Sequence, residues 1–444
     1  MRIAVIAVVG YVLAACGGGG APIDAARPSL APSPVGAAAS PTAPAPAGTP
    51  VSAGAVPEAG VLYVWGADDG IYRYDGATGA LTRVAGASTI ALESAAGPYV
   101  LGRHGGISLL RWDGTTAVAC PSGSYAAISG RGACAYRDDT NALYVDAGDG
   151  PRKLLPSDWG AAQVVWSPDG AELAVIRTQL RPEPVRAHQT LWLLDRHGGL
   201  TKLFDSPAAT SFLYGVQWST DRRLSFWESA TTSASFAADG VANSLHIVNV
   251  DTLATVDLGT TLGARAWAQW SNDGRLAFVA GGDRTTWHMK QVKVVLPDGS
   301  VLTAAGDGAL HPGPTSTSAI APAWSPVGAP QLAWIEGPAA GMEASPEYFR
   351  ETGSSAGRVA MLGQDTRLGC PGLVTEGVRW SADATSVLLL CRVPAVEHHA
   401  LQLWYAPLGG PPRALVTGLG DLGFGFYGLQ PSLFEMVSWS LASR

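Results

Sequence analysis

Short apolar runs alternate with sharp polar breaks along most of this chain, the pattern of strands joined by turns. The clearest case is Gln163-Val164-Val165-Trp166, then Ser167-Pro168-Asp169-Gly170, then Leu173-Ala174-Val175-Ile176. Pro pre-sets φ for a turn, Asp bonds its local backbone, and Gly takes positive φ without a steric penalty. The stretch therefore predicts a strand ending at Trp166, a tight bend and a returning strand.

That unit recurs. Trp218-Ser219 precedes Leu224–Trp227, Trp270-Ser271 precedes Leu276–Val279, Trp324-Ser325 precedes Leu332–Ile335, and Trp380-Ser381 precedes Val387–Leu390. The five tryptophans stand 52, 52, 54 and 56 residues apart. An all-strand unit at a fixed period of tens of residues is the signature of a radial β array. Between third and fourth strands, a short turn is expected near Asp75-Gly76, Asp113-Gly114, Asp149-Gly150, His197-Gly198-Gly199, Asp251, Pro297-Asp298-Gly299, Gln364-Asp365 and Gly409-Gly410. These turns count eight units, with seven as the alternative because residues 88–155 lack the Trp-Ser turn. The first unit shows only three strands, Leu62–Trp65, Ile71–Tyr74 and Leu81–Val84. Its missing innermost strand is expected from the C-terminus, where Trp439-Ser440 repeats the ending. The expected fold is all-β: a propeller closed by strands from both ends of residues 61–444.

The W-S-P-D-G turn followed by an apolar strand resembles the TolB-type repeat, a PD40-type and WD40-like propeller unit, over at least residues 161–416. The resemblance implies a propeller and is specific for architecture, because such repeats serve binding proteins, scaffolds and protease accessory domains alike. The N-terminal α/β domain of TolB has no counterpart here. The propeller lipoprotein of the outer-membrane barrel-assembly machinery is an architectural analogy, to whose repeat Tyr74-Asp75-Gly76-Ala77-Thr78-Gly79 is similar.

Residues 1–15 carry one positive charge, Arg2, and an apolar run too short to span a bilayer, as an export signal does. Leu13-Ala14-Ala15-Cys16 resembles the bacterial lipobox, which implies that Cys16 is lipid-modified and becomes the new N-terminus. Several acyl chains on one residue give lasting attachment, at about 0.8 kcal/mol per buried CH₂. The resemblance implies attachment in the cell envelope, at the outer membrane if the host is Gram-negative. Residues 16–60 are mostly Gly, Ala, Pro, Ser and Thr, which bury too little surface to offset ordering, so they read as a tether.

Nearly half the chain is apolar and 15% is charged, enough for a large core. A net charge of −7 without a basic run argues against nucleic acid and anionic lipid as partners, leaving the N-terminal lipid as the membrane contact. Beyond Cys16 there are four cysteines, which allow three pairings. Cys120 and Cys370 each follow an expected outer strand, and Cys134 and Cys391 each lie in the second strand of the next unit. Cys120–Cys134 and Cys370–Cys391 are therefore the expected bridges, each stapling neighbouring units in an oxidising compartment.

Connections between second and third strands share one face with the links between units. They lengthen in the later repeats, at Thr178–Gln189, Ser229–Asn243, Gly281–Trp287, Gly337–Gly357 and Pro394–His399. Insertions gathered on one face mark a contact surface. The candidate binding residues there are Arg181, Arg186, His188, Phe236, Trp287, Tyr348, Phe349, Arg350, His398 and His399, since Arg and aromatic side chains anchor interfaces. Catalytic patterns are weak. Gly353-Ser354-Ser355-Ala356-Gly357 lacks the strand-turn-helix elbow, Glu397-His398-His399 offers no third ligand, and Asp146–Gly150 lacks a calcium-loop series. No metal or cofactor is expected. The sequence favours a non-catalytic envelope protein that binds a protein, peptide or glycan, with a propeller hydrolase or lyase acting on glycan or peptide as the alternative.

Overall fold

A computed structural model describes residues 49–66, 68, 70–86, 89–102, 106–120, 124–181, 186–195, 197–208, 211–229, 243–261, 267–281, 287–339, 358–393, 401–419 and 437–441. The strands form eight antiparallel sheets arranged as an eight-bladed β-propeller, and among the described residues there is no α-helix. Blades 2 to 8 follow chain order over residues 89–120, 124–155, 161–205, 212–261, 268–305, 317–368 and 374–419. Within each, the four strands run outward in sequence order.

Blade 1 is built from both ends of the chain. Val437–Ser440 supplies its innermost strand and pairs with Val61–Trp65, placing Leu62 opposite Trp439 and Val64 opposite Val437. Gly70–Asp75 and Ala80–Gly86 complete it. The edge that an open array would expose is thereby paired. Blades 2 and 3, which lack the Trp-Ser turn, are nonetheless four-stranded. Two boundaries differ from expectation. The third turn of blade 7 falls at Leu362-Gly363, because Gln364 already begins the outer strand. The folded unit also takes in residues 49–60, assigned by composition to the tether. Val51–Ser52 pairs with Thr417 and Val416 as a fifth strand on blade 8, and Val56 and Ala59 are buried.

Sheets stacked face to face explain why inner strands read as continuous apolar runs rather than alternating ones. Both faces are covered: every residue of Val374–Trp380 and Ser386–Arg392 is buried. The described apolar core forms eight clusters, each centred between two neighbouring blades. One joins Tyr63 and Ile71 of blade 1 to Ile90 and Val100 of blade 2, and another joins Leu388 and Leu403 of blade 8 to Leu62 and Trp439 of blade 1. Outer strands face water, so Val256 and Val301 stay half-exposed.

The repeated tryptophans act across these seams. Trp218 donates its indole N–H to Val165 O at 3.2 Å, Trp324 to Gln269 O at 3.0 Å and Trp380 to Ala323 O at 3.0 Å, each on the innermost strand of the preceding blade. Trp166 reaches Ala127 O, Trp270 reaches Ser225 Oγ, and Trp439 reaches Ala59 O at 2.7 Å. A polar edge on an apolar plate satisfies one backbone carbonyl while filling the seam. The two disulfides, Cys120–Cys134 and Cys370–Cys391, join blade 2 to blade 3 and blade 7 to blade 8.

The serine after each of Trp166, Trp218, Trp270, Trp324 and Trp380 is buried and closes its turn. Ser167 Oγ donates to Asp169 Oδ1 at 2.6 Å and accepts the backbone N–H groups of Ala171 and Glu172. Ser381 donates to Asp383 at 2.7 Å and accepts from Ser386 N. The hydrogen bond from Ser167 holds the Asp169 carboxyl below its ordinary range. At Asp383 burial alone would raise it, but Ser381 and Thr385 outweigh burial and lower it. A depressed folded pKa contributes stability above the unfolded value, and that stability is lost as pH falls through the folded one. Ser381→Ala should therefore cost about 1 kcal/mol near neutral pH. In urea titrations its deficit against the parent should begin to shrink below about pH 4, the ordinary aspartate range, and continue to shrink as pH falls through the lower folded value. A deficit that holds constant down to acid pH would contradict this role.

Candidate interaction face

Strand order separates two faces. On one, every connection between first and second or third and fourth strands runs two to seven residues. Turns there are tied to their neighbours: Arg222 bonds Glu172 of blade 4 at 2.7 Å and Asp251 of its own blade at 3.0 Å. On the other, the second-to-third connections of blades 5 to 8 run 13, 10, 19 and 8 residues between strand bounds. That second side, the loop face, is the candidate site.

Blade 4 contributes differently from expectation. Thr178–Gln189 is mostly paired strand: the hairpin Leu173–Arg181 and Arg186–Leu194 runs nine residues a side, against four in the corresponding strands of blade 3. Both hairpins start from tight turns, so the extra length lies at the loop face. The polar stretch reads as a loop by composition, but cross-strand pairing from Leu173–Leu194 to Arg181–Arg186 keeps it extended. A half-buried ladder stands on this blade. Arg177 lies 5.1 Å from the Trp159 ring and donates to Trp159 O, Trp159 meets Trp192 edge-on at 5.9 Å, and Lys202 lies 5.8 Å from Trp192.

His188, expected on an exposed loop, is 1% exposed. Its Nε2 meets Asp205 Oδ1 at 2.8 Å and its Nδ1 lies 3.4 Å from Ser211 Oγ. Lys202 and His188 together hold Asp205 below the usual carboxylate range. The contact order matches a Ser-His-Asp triad, yet Ser211 is fully buried. Its proton goes to Gln189 O at 2.8 Å and its oxygen accepts Gln189 N. A hydroxyl sealed in this way is not offered to a substrate carbonyl; these bonds instead fasten the blade 4–5 link to the hairpin. Beside it Glu228 meets His246 Nε2 at 3.1 Å. Burial would raise the Glu228 pKa, but hydrogen bonds from His246 and Ser206 bring it down.

Further round the face, Lys290 is fully buried and donates to Gly281 O at 2.7 Å, closing the base of the blade 6 connection. Trp287, a candidate contact residue, begins a short 3-10 turn there (Trp287–Met289). In blade 8, Arg392 and Glu376 form an ion pair, both buried, across its two inner strands. Arg181 and Arg186 end and begin the blade 4 strands. Phe236, Tyr348, Phe349, Arg350, His398, His399 and Cys16 lie outside the described residues, as do Gly353–Gly357 of the G-x-S-x-G match and Glu397. Among the described residues no group of three metal-ligating side chains occurs, and no helix is long and apolar enough to cross a membrane. The partners of His188, Glu228 and Glu376 come from separate strands, which no local motif announces.

One polar assembly spans three blades. Glu93 on the innermost strand of blade 2 accepts Ser438 Oγ at 2.7 Å and Trp439 N at 2.6 Å. Its other carboxylate oxygen pairs with Arg379 of blade 8, which also donates to Val437 O. Both residues thus grip the C-terminal strand between them.

No family model matches the sequence, and no curated protein matches it. Among solved structures, the chain is similar to Porphyromonas gingivalis dipeptidyl peptidase 4 at 8% identity and a TM-score of 0.51, covering 81% of this chain and 58% of that one. It is also similar to an oligogalacturonate lyase from Vibrio parahaemolyticus, at 11% identity and TM-score 0.41, covering 84% and 98%. TolB from Acinetobacter baumannii matches at 15% identity and TM-score 0.31, covering 55% and 52%. The chain spans about half the length of the first structures it matches, 48%, 58% and 52%. At these identities the likeness shows the propeller fold alone.

Proposed function

We propose that this chain is a lipid-anchored envelope protein whose propeller binds a protein, peptide or glycan through its loop face, without catalysing a reaction. The observation that carries the reading is the asymmetry between faces: turns of two to seven residues on one side, and connections of up to 19 residues on the other. Length added on one face of a repeat array marks a contact surface. The buried pairs around that face, His188 with Asp205, Glu228 with His246 and Arg392 with Glu376, are engaged with one another in the wall. The Trp-Ser turns support a TolB-type repeat, and the lipobox-like Leu13–Cys16 supports an anchor in the outer membrane of a Gram-negative cell. Two disulfides accord with an oxidising compartment.

The test is affinity capture of the lipidated protein from detergent-solubilised envelope, with the parent chain beside a variant whose residues 340–357 are replaced by a short Gly-Ser turn. Partners bound by the parent should fall at least tenfold with the variant, while its thermal melt stays unchanged. Undiminished capture would overturn the reading.

A further inference from the structure

Each blade ends in an outer strand whose far edge points away from the ring, and such edges invite pairing unless they are charged or covered. Most blades here are guarded. Arg83, Arg152 and Lys153, Lys202, Asp257 and Arg367 stand on the outer strands of blades 1, 3, 4, 5 and 7, and Val51–Ser52 covers the apolar outer strand of blade 8. Blade 6 has neither device. Its outer strand, Val301–Ala305, carries no charge and no proline, and Val301 is 50% and Leu302 39% exposed. Among the described residues nothing pairs with its far edge.

The register of this hairpin fixes which backbone groups face out. At its turn Leu296 N bonds Ser300 O and Gly299 N bonds Leu296 O. Val295 pairs with Val301, Val294 with Leu302 and Lys293 with Thr303. Opposed residues in an antiparallel ladder alternate between bonded and non-bonded pairs, so Leu302 bonds inward to Val294 while Val301 and Thr303 aim their N–H and C=O groups outward. We propose that this edge pairs antiparallel with the same edge of a second copy of the chain, about a two-fold axis at Leu302. Val301 then lies opposite Thr303 of the second copy, and the reverse, so every outward backbone group of both residues is satisfied. Leu302 meets its counterpart at a non-hydrogen-bonded position, where Cα atoms stand about 4.5 Å apart and apolar side chains touch. Like charges do not meet, because Asp298 falls opposite Gly306 and Asp307 opposite Pro297. A foreign strand would find the same backbone groups; the copy is favoured because each side-chain pair in this register is complementary. The outer strand of blade 2, Thr116–Cys120, is also uncharged, but the residue at the matching central place is Ala117, too small to add apolar contact. The inference is independent of the loop face and of the anchor.

A contact along one five-residue edge is small, so the dimer is expected to dissociate in the range of about 10–300 µM. Sedimentation velocity of the full chain from about 1 to 500 µM reads this directly. Leu302→Lys sets two ammonium groups face to face and should raise the dissociation constant about tenfold or more, with the thermal melt unchanged. Leu302→Cys should form an interchain disulfide on oxidation, since two cysteines at that spacing can bridge, in yield about fivefold above both Ala117→Cys and the parent. A parent still monomeric at about 500 µM overturns the dimer. A dimer untouched by Leu302→Lys, or equal disulfide yields from the two cysteine variants, overturns the edge. A monomeric parent whose Leu302→Cys form crosslinks to a different protein in cell extract hands the edge to that protein and overturns the second copy.

Discussion

Glu93→Ala is expected to lower unfolding free energy by about 3 kcal/mol and to free the C-terminal strand before anything else opens. The carboxylate takes a hydroxyl and a backbone N–H from Val437–Ser440 and neutralises Arg379, whose side chain is only 11% exposed. Deleting it leaves a mostly buried guanidinium without its counter-charge, and losses of about 3–5 kcal/mol are usual for such breaks. Hydrogen exchange should show residues 437–440 deprotected at urea concentrations that leave blades 4 to 6 intact. Replacing both partners with apolar residues, Glu93→Leu with Arg379→Met, should recover much of the loss, because no charge then remains stranded. If Glu93→Ala melts within about 0.5 kcal/mol of the parent, the clip contributes nothing.

Trp380→Ala should cost about 3–5 kcal/mol, the range for emptying a large buried aromatic site. Trp380 is 5% exposed, packs among Val359, Met361, Val387 and Leu389, and donates to Ala323 O. Trp380→Phe keeps most of the ring and loses the N–H donor, so its expected cost is about 1 kcal/mol. Equal losses in the two variants, measured by urea unfolding, would assign the whole effect to the hydrogen bond and remove packing from the account.

The architecture was legible because one device repeats. A tryptophan that must reach back to the previous blade, and a serine that must close its own turn, recur at the ends of the inner strands of blades 4 to 8. Spacing alone therefore located Trp166, Trp218, Trp270, Trp324, Trp380 and Trp439. The cysteine pairs followed from equivalent places in the repeat. The polar interior was not legible. Glu93 and Arg379 are 286 residues apart and meet only because the ring closes. His188 looked exposed because Arg181 to Arg186 is polar and proline-containing, whereas the paired hairpin on either side carries it into the wall. Composition reports what a residue prefers, and a ring brings together residues whose preferences were set by distant partners.

That blade 1 receives its innermost strand last has a consequence for how the protein is made. Until residues 437–440 emerge, a nascent chain holds an incomplete circle in which Leu62 and Val64, both fully buried in the finished protein, lack their covering strand. An unpaired apolar edge of this kind is what holdase chaperones recognise and what neighbouring copies join through. Synthesis that stalls short of Val437 therefore yields an adhesive product rather than a slightly shorter propeller.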